Sequence, residues 1–437
     1  MSAAARRSYS APERYLEGLL AILVWLGWTE VYGIVTVPVV ATYLVLAGVV
    51  LMSADATSDR PLLSRLAFAA STPWTTSITG ALLVLLFVFT AVHALSEPVP
   101  TTDQPVTLLC AAQDVREGVV PYTTYEPQCY RQVGYKLLNA TPLEAGPFGS
   151  YTHYPSPRAQ LAVLRLDQER GAHAGFPAFG YPPDAALVLF PVALTSWSFV
   201  SWWVALLCAA LLMITWRPRV PGRWWLVSWQ LGGLALPLLY FGWNPELVSY
   251  LLLALAFAVS YWPRRSGIAM AVAVCTNPLA WVAAPVYLAV TSRYPQFRRR
   301  VAWLTGAVVV GVVPWLVWDH SLVEQIWRFL MMPTFPIGAA LGRFAQLPSH
   351  GHAVYFVAFV SSIVAATVGA LRFRQWRWGF AVAVYLAFMV SWRGPVYYYV
   401  AAFWLAPAVV AGQSRYVLAG QAEICENGGG ASAVAAR

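Results

Sequence analysis

Charge is what this chain has least of. Asp, Glu, Lys and Arg together make up 11% of its 437 residues, against about 25% in a soluble globular domain. With 59% of residues hydrophobic, so few charges cannot cover the surface of a soluble protein this long. A soluble enzyme and a disordered chain are both excluded. Cysteine is scarce as well: five residues do not make a secreted disulfide scaffold. Lysine is nearly missing, Lys136 being the only one. The 28 basic residues outnumber 19 acidic ones, but no polybasic tract gathers them, so nucleic acid is not an expected partner. The N-terminal region also lacks the small-residue cleavage site of a secretory signal.

What the chain does have is apolar runs separated by small arginine clusters. That pattern predicts an all-α polytopic membrane protein, with about 10–13 transmembrane or half-membrane helices. Arg6, Arg7 and Arg14 put the N-terminus in the cytoplasm, and runs 16–29 and 31–53 form a hairpin returning to Arg60 and Arg65. Run 77–95 goes out. Run 184–194 is too short to cross and reads as a half-helix entering from outside, while 198–216 returns to Arg217 and Arg219. Runs 224–241 and 245–262 follow as an out-and-back pair, and 267–276 with 278–290 as a second hairpin ending before the cluster Arg298, Arg299 and Arg300. Run 301–318 goes out, 353–371 returns, and 378–390 with 396–411 closes the bundle.

Three parts result: a cytoplasmic segment with an extra hairpin (1–76), a transmembrane domain (77–411) and a Gly/Ala-rich cytoplasmic tail (412–437), expected to be disordered. Two external stretches, 96–183 and 319–352, face the same side. The first is longer than a connector needs to be and can fold over a cavity. It carries Asp103, Asp114 and Glu117 with aromatics such as Tyr122, Tyr125 and Tyr181. Acids bind hydroxyls and aromatic rings stack on apolar sugar faces, so a carbohydrate ligand fits; a solvated loop with interfacial anchors fits the composition too. Cys110 and Cys129 share this stretch, and two thiols on one external loop suggest a disulfide.

Several motifs recur in a definite order. Thr102-Asp103-Gln104 follows the run 77–95; Ala111-Ala112 and then Gly118-Val119-Val120-Pro121-Tyr122 come next. Phe179-Gly180-Tyr181-Pro182-Pro183 precedes the half-helix, and Gly242-Trp243-Asn244-Pro245 starts a later run. Arg264-Arg265, Asn277-Pro278 and finally Gly394-Pro395-Val396-Tyr397-Tyr398-Tyr399 complete the series. This order resembles that of GT-C membrane glycosyltransferases, in particular the polyprenyl-phosphate-mannose-dependent mannosyltransferase branch. The resemblance covers residues 77–411. It departs from the branch at Asn277, where a Lys is usual; an amide offers no charge to a phosphate.

The resemblance implies a GT-C-like bundle and inverting transfer of a sugar, mannose or arabinofuranose, from a polyprenyl-phosphate donor to a glycolipid or lipid-linked glycan acceptor. The reaction needs a base for the acceptor hydroxyl and a cation for the departing phosphate, because a phosphate already leaves without an acid. Asp103 is the expected base, with Asp114 next. Arg343 and Arg393 are the expected phosphate ligands, since a guanidinium fork grips phosphate in two places. Asp114, Tyr122, Tyr181, Glu246, Asn277, Tyr397 and Tyr398 are expected around the sugar or acceptor, Glu246 first of all as a helix cap.

No cofactor is required by the sequence. His350-x-His352 could hold a divalent metal, but no third ligand stands at a suitable spacing. Richness in Arg, Ala and Val suggests a GC-rich genome and hence the outer face of a bacterial plasma membrane. Two other classes stay open: a transporter or flippase for a lipid-linked sugar, which predicts charges deep in the spans, and a catalytically silent protein of the same fold.

Overall fold

The computed structural model describes residues 73–96, 103–122, 127–133, 155–170, 181–217 and 223–324, with isolated positions at 148, 151, 179 and 326 and between 337 and 412. These residues are mostly helical. In chain order the helices are α1 (Pro73–Ser96), α2 (Asp103–Glu117), α3 (Pro127–Gln132), α4 (Pro157–Arg170), α5 (Asp184–Ala193), α6 (Val200–Trp216), α7 (Arg223–Phe241), α8 (Glu246–Ala258), α9 (Pro263–Thr276), α10 (Leu279–Thr291) and α11 (Phe297–Trp318). Two strands of two residues, β1 (Ile337–Gly338) and β2 (Arg393–Gly394), pair in parallel.

Among the described residues, Trp197–Trp216 and Phe297–Trp318 are long and apolar enough to cross a membrane. Their outward faces carry Trp202, Leu206 and Met213, and Val310, Val313 and Val317, all exposed. Helix α1 has the same character. Ile78, Leu82, Leu85, Phe89 and Val92 recur every three or four residues and are exposed, whereas Leu83, Thr90 and Ala94 of the opposite face are buried. Large apolar residues turned outward reverse the pattern of a soluble helix.

Helix α8 is the centre of the core. Leu247, Leu251, Ala254 and Phe257 are buried with nearly every other residue of the helix, as expected where apolar residues surround a helix on all sides. It packs on α6 and on α9, and α9 packs on α11. The α9–α11 approach requires Gly267: a Cβ there would lie 2.7 Å from the Arg300 carbonyl oxygen. Helix α7 packs along α1, and a Cβ on Gly232 would collide with Leu83.

Several expectations are corrected. Run 245–262 is not one span: α8 has 13 residues, about 20 Å of helix. Trp262 is extended before Pro263, as the ring of a following proline demands. The stretch 96–183 contains α2, α3 and α4, with Asp114 and Glu117 on α2. Arg300, expected in the basic cluster after the second hairpin, is fully buried, while Arg298 and Arg299 are exposed. Its guanidinium donates to the carbonyls of Thr291 (3.1 Å) and Ser260 (2.5 Å). It also lies 5.7 Å from the Tyr294 ring. The hairpin of 16–53 and nearly all of runs 378–390 and 396–411 lie outside the described residues.

Cys110 of α2 and Cys129 of α3 are joined by a disulfide with Cα atoms 5.9 Å apart. Val106, Phe148 and Val163 bury it in a small separate core, and the hydroxyls of Thr107 and Tyr130 hydrogen-bond beside it at 2.6 Å. Replacing both cysteines by serine should cost roughly 3 kcal/mol, the loop-closure value for a ring of this size. Thermal unfolding with and without reductant measures it; a transition insensitive to reductant would refute the stabilising role.

Candidate functional site

The site is built from chain breaks at helix ends. Helix α2 stops at Gly118, whose φ of +73° only glycine adopts without cost. The amides of Gly118 and Val119 then bond back to the carbonyls of Val115 and Asp114, at 3.2 and 2.8 Å. After this turn Tyr122 is buried, and its hydroxyl donates to the carbonyl of Tyr181 at 2.8 Å. Its ring leans on Phe179, with centroids 5.1 Å apart, and Phe179 leans on Tyr181 at 5.9 Å.

Pro182 and Pro183 follow, and Asp184 starts α5. Its carboxylate lies at the helix end where negative charge is favoured. The half-buried Asp184 accepts a hydrogen bond on Oδ1 from Trp315 Nε1 at 3.1 Å. Gly311 of α11 makes the room: a Cβ there would lie 2.6 Å from Asp184 Oδ2 and 3.2 Å from Cys275 Sγ. One turn beyond Trp315, Asp319 ends α11 and accepts from the Ser321 amide at 2.8 Å through Oδ1. Its Oδ2 is buried with no hydrogen-bond partner among the described residues, and so is Ser321 Oγ. Burial first, then the charges of Asp184 and Asp319, push the Tyr122 phenol well above the usual tyrosine range. It is therefore a neutral donor at any physiological pH.

Cys275 leads to the next part of the cluster. Its neighbour Thr276 shares a 3.0 Å hydrogen bond with Ser249 of α8. The start of α8 is therefore beside the end of α9, and Asn244, Glu246 and Asn277 are all buried at these two helix ends. Gly242 turns the chain with φ +65°, and Asn244 Oδ1 caps the Glu246 amide at 2.9 Å. Glu246 stands in the first turn of α8, where a carboxylate was expected. Asn277 is extended at the end of α9, its amide bonded to the Ala273 carbonyl.

The structure brings together four motif segments distant in the chain, those of Tyr122, Tyr181, Asn244–Glu246 and Asn277. Asp103 is the first residue of α2 and Asp114 is buried near its end. Eleven residues of helix put them on the same face, about 16 Å apart along the axis, too far to serve one reacting atom. Arg343, Tyr397 and Tyr398 lie outside the described residues, with His350 and His352. The backbone of Arg393 pairs with Ile337, and that of Gly394 with Gly338. Among the described residues no group of three or more His, Cys, Asp or Glu is placed to hold a metal ion. Sequence reasoning missed Asp184, Trp315 and Asp319 as partners. The available signals were an acid interrupting an apolar run directly after Tyr-Pro-Pro, and a Trp four residues ahead of an acid.

No protein-family model matches the chain, and neither the curated proteins nor the solved structures compared with it give a match.

Proposed function

We propose that this chain is a multi-pass membrane glycosyltransferase of the GT-C type, using a polyprenyl-phosphate sugar at the outer face of a bacterial plasma membrane. One observation carries the reading: the motif segments around Tyr122, Tyr181, Asn244 and Asn277 are linked through the contacts of Asp184, Trp315, Cys275 and Ser249 into one polar cluster. Helices with large apolar residues on their outer faces surround it. The exposed stripes of α1, α6 and α11 support insertion in lipid.

In the reaction, an acceptor hydroxyl attacks the sugar's anomeric carbon as the bond to the phosphate oxygen breaks. The phosphate leaves with the electron pair, the hydroxyl proton goes to a carboxylate, and a single displacement inverts the anomeric centre. Asp103 is the assigned base. Arg343 and Arg393 hold the departing phosphate, whose growing charge a guanidinium stabilises.

The test is direct. Purified full-length protein is incubated with polyprenyl-phosphate mannose, polyprenyl-phosphate arabinofuranose and a glycolipid acceptor, and free polyprenyl phosphate is measured. Release that depends on acceptor is expected; absence of release across both donors would sink the assignment.

A further inference from the structure

Two acids in the cluster have no part in the chemistry so far. Asp184 receives one side-chain hydrogen bond, from Trp315, and its Oδ2 lies over the bare backbone of Gly311. Among the described residues Asp319 has an oxygen without a donor, and Ser321 beside it has a hydroxyl without a partner. An acceptor left unmatched in a protein interior is costly, and such groups in native structures call for an explanation. Tyr122 adds a fourth polar group with spare capacity: its hydroxyl donates to Tyr181 and can still accept.

The chemistry of this set is specific. The carboxylates need donors, while the Ser321 and Tyr122 hydroxyls can accept. A ligand group that both donates and accepts is a hydroxyl. A cation would satisfy the acids, but no third His, Cys, Asp or Glu joins them among the described residues. The tilted rings of Tyr122, Phe179 and Tyr181 supply the apolar wall that the carbon face of a sugar requires. Gly311 has the mark of a position kept clear, since any side chain there would strike the Asp184 carboxylate.

We propose that Asp184 and Asp319, with Tyr122 and Ser321, form a subsite that binds the hydroxyls of a sugar ring. The subsite rests on the glycosyltransferase reading and extends it by naming the groups that grip the sugar instead of the phosphate. Donor and acceptor rings share this chemistry, so the probes must separate them.

The experiment uses the full chain in detergent and measures binding of decyl α-mannopyranoside, decyl arabinofuranoside and sugar-free decaprenyl phosphate through tryptophan fluorescence. Asp184→Asn, Asp319→Asn and Gly311→Ala are compared with the wild type. The glycine variant retains both charges but displaces the carboxylate. Affinity for the preferred alkyl glycoside should fall about tenfold or more in each variant, as expected when a charged hydrogen bond to a ligand is lost. Decaprenyl phosphate should bind unchanged, which also reports that the fold is intact. If transfer from the intact lipid-phosphate sugar falls in the same proportion through KM, the ring held is the donor's; if only acceptor KM rises, it is the acceptor's. Unchanged glycoside affinity in the variants overturns the subsite and leaves the transferase reading standing. Equal loss of glycoside and decaprenyl phosphate assigns the acids to the fold and also overturns it. A wild type that transfers sugar but holds neither glycoside does the same. A wild type that neither transfers nor binds any of the three probes removes the transferase reading and the subsite with it.

Discussion

Asp103→Asn should lower sugar transfer by a factor of about 10² to 10⁴, the usual cost of removing a general base, with donor binding retained. Asparagine preserves the shape and hydrogen-bonding reach of the side chain but cannot take up the acceptor's proton. The same change at Asp114, on the same face of α2 but about 16 Å away along the axis, should not reproduce the loss. The separation makes the pair a sharp test, because one acceptor hydroxyl cannot reach both carboxylates. Initial rates of polyprenyl phosphate release, measured at saturating donor, decide it. Near-normal turnover in Asp103→Asn together with collapse in Asp114→Asn would transfer the role to Asp114.

Removing the Arg300 guanidinium should be the most destabilising single change in the bundle, at roughly 3 kcal/mol or more, the worth of two charge-assisted hydrogen bonds. Arg300 is fully buried, and its donors reach Ser260 just past α8 and Thr291 at the end of α10. Both carbonyls belong to helix C-terminal regions, where backbone acceptors have no partner within the helix and the dipole favours a cation. Arg300→Met leaves those carbonyls without their donors and should lower the unfolding temperature in detergent by several degrees. Arg300→Lys keeps a charge but not the fork, so it should recover only part of the loss. An unfolding temperature equal to wild type in Arg300→Met would mean that the helix ends are held by other contacts.

Much of the local structure could be read directly from the residues. The run after Tyr-Pro-Pro predicts a helix too short to cross a membrane, and α5 has ten residues. The Cys110–Cys129 bridge was suggested by two thiols within one polar stretch. The helices between 103 and 170 were harder to see. Helix α2 mixes Asp103, Gln104, Gln113 and Glu117 with a short buried face, so its hydrophobic signal is weak beside the flanking apolar runs. Arg300 was placed with its charged neighbours because composition cannot tell which member of an arginine triplet turns inward. Helical phase does that: Arg298 and Arg299 point away, and the third faces Thr291 and Ser260.

The sequence by itself determined the class of this protein: too little charge for a soluble surface, apolar runs broken by proline and glycine, and hence a mostly helical chain with helices suited to lipid. Those properties follow from short-range sterics and from transfer free energies, which act residue by residue. Only the tertiary structure decided which polar groups meet. Tyr122 reaches Tyr181, Asp184 reaches Trp315 across 131 positions, and Ser249 reaches Thr276 because helices pack in one particular crossing. That crossing depends on where a glycine such as Gly311 lets two backbones and a carboxylate come close. Partnership between distant side chains is a property of packing, and no local pattern encodes it.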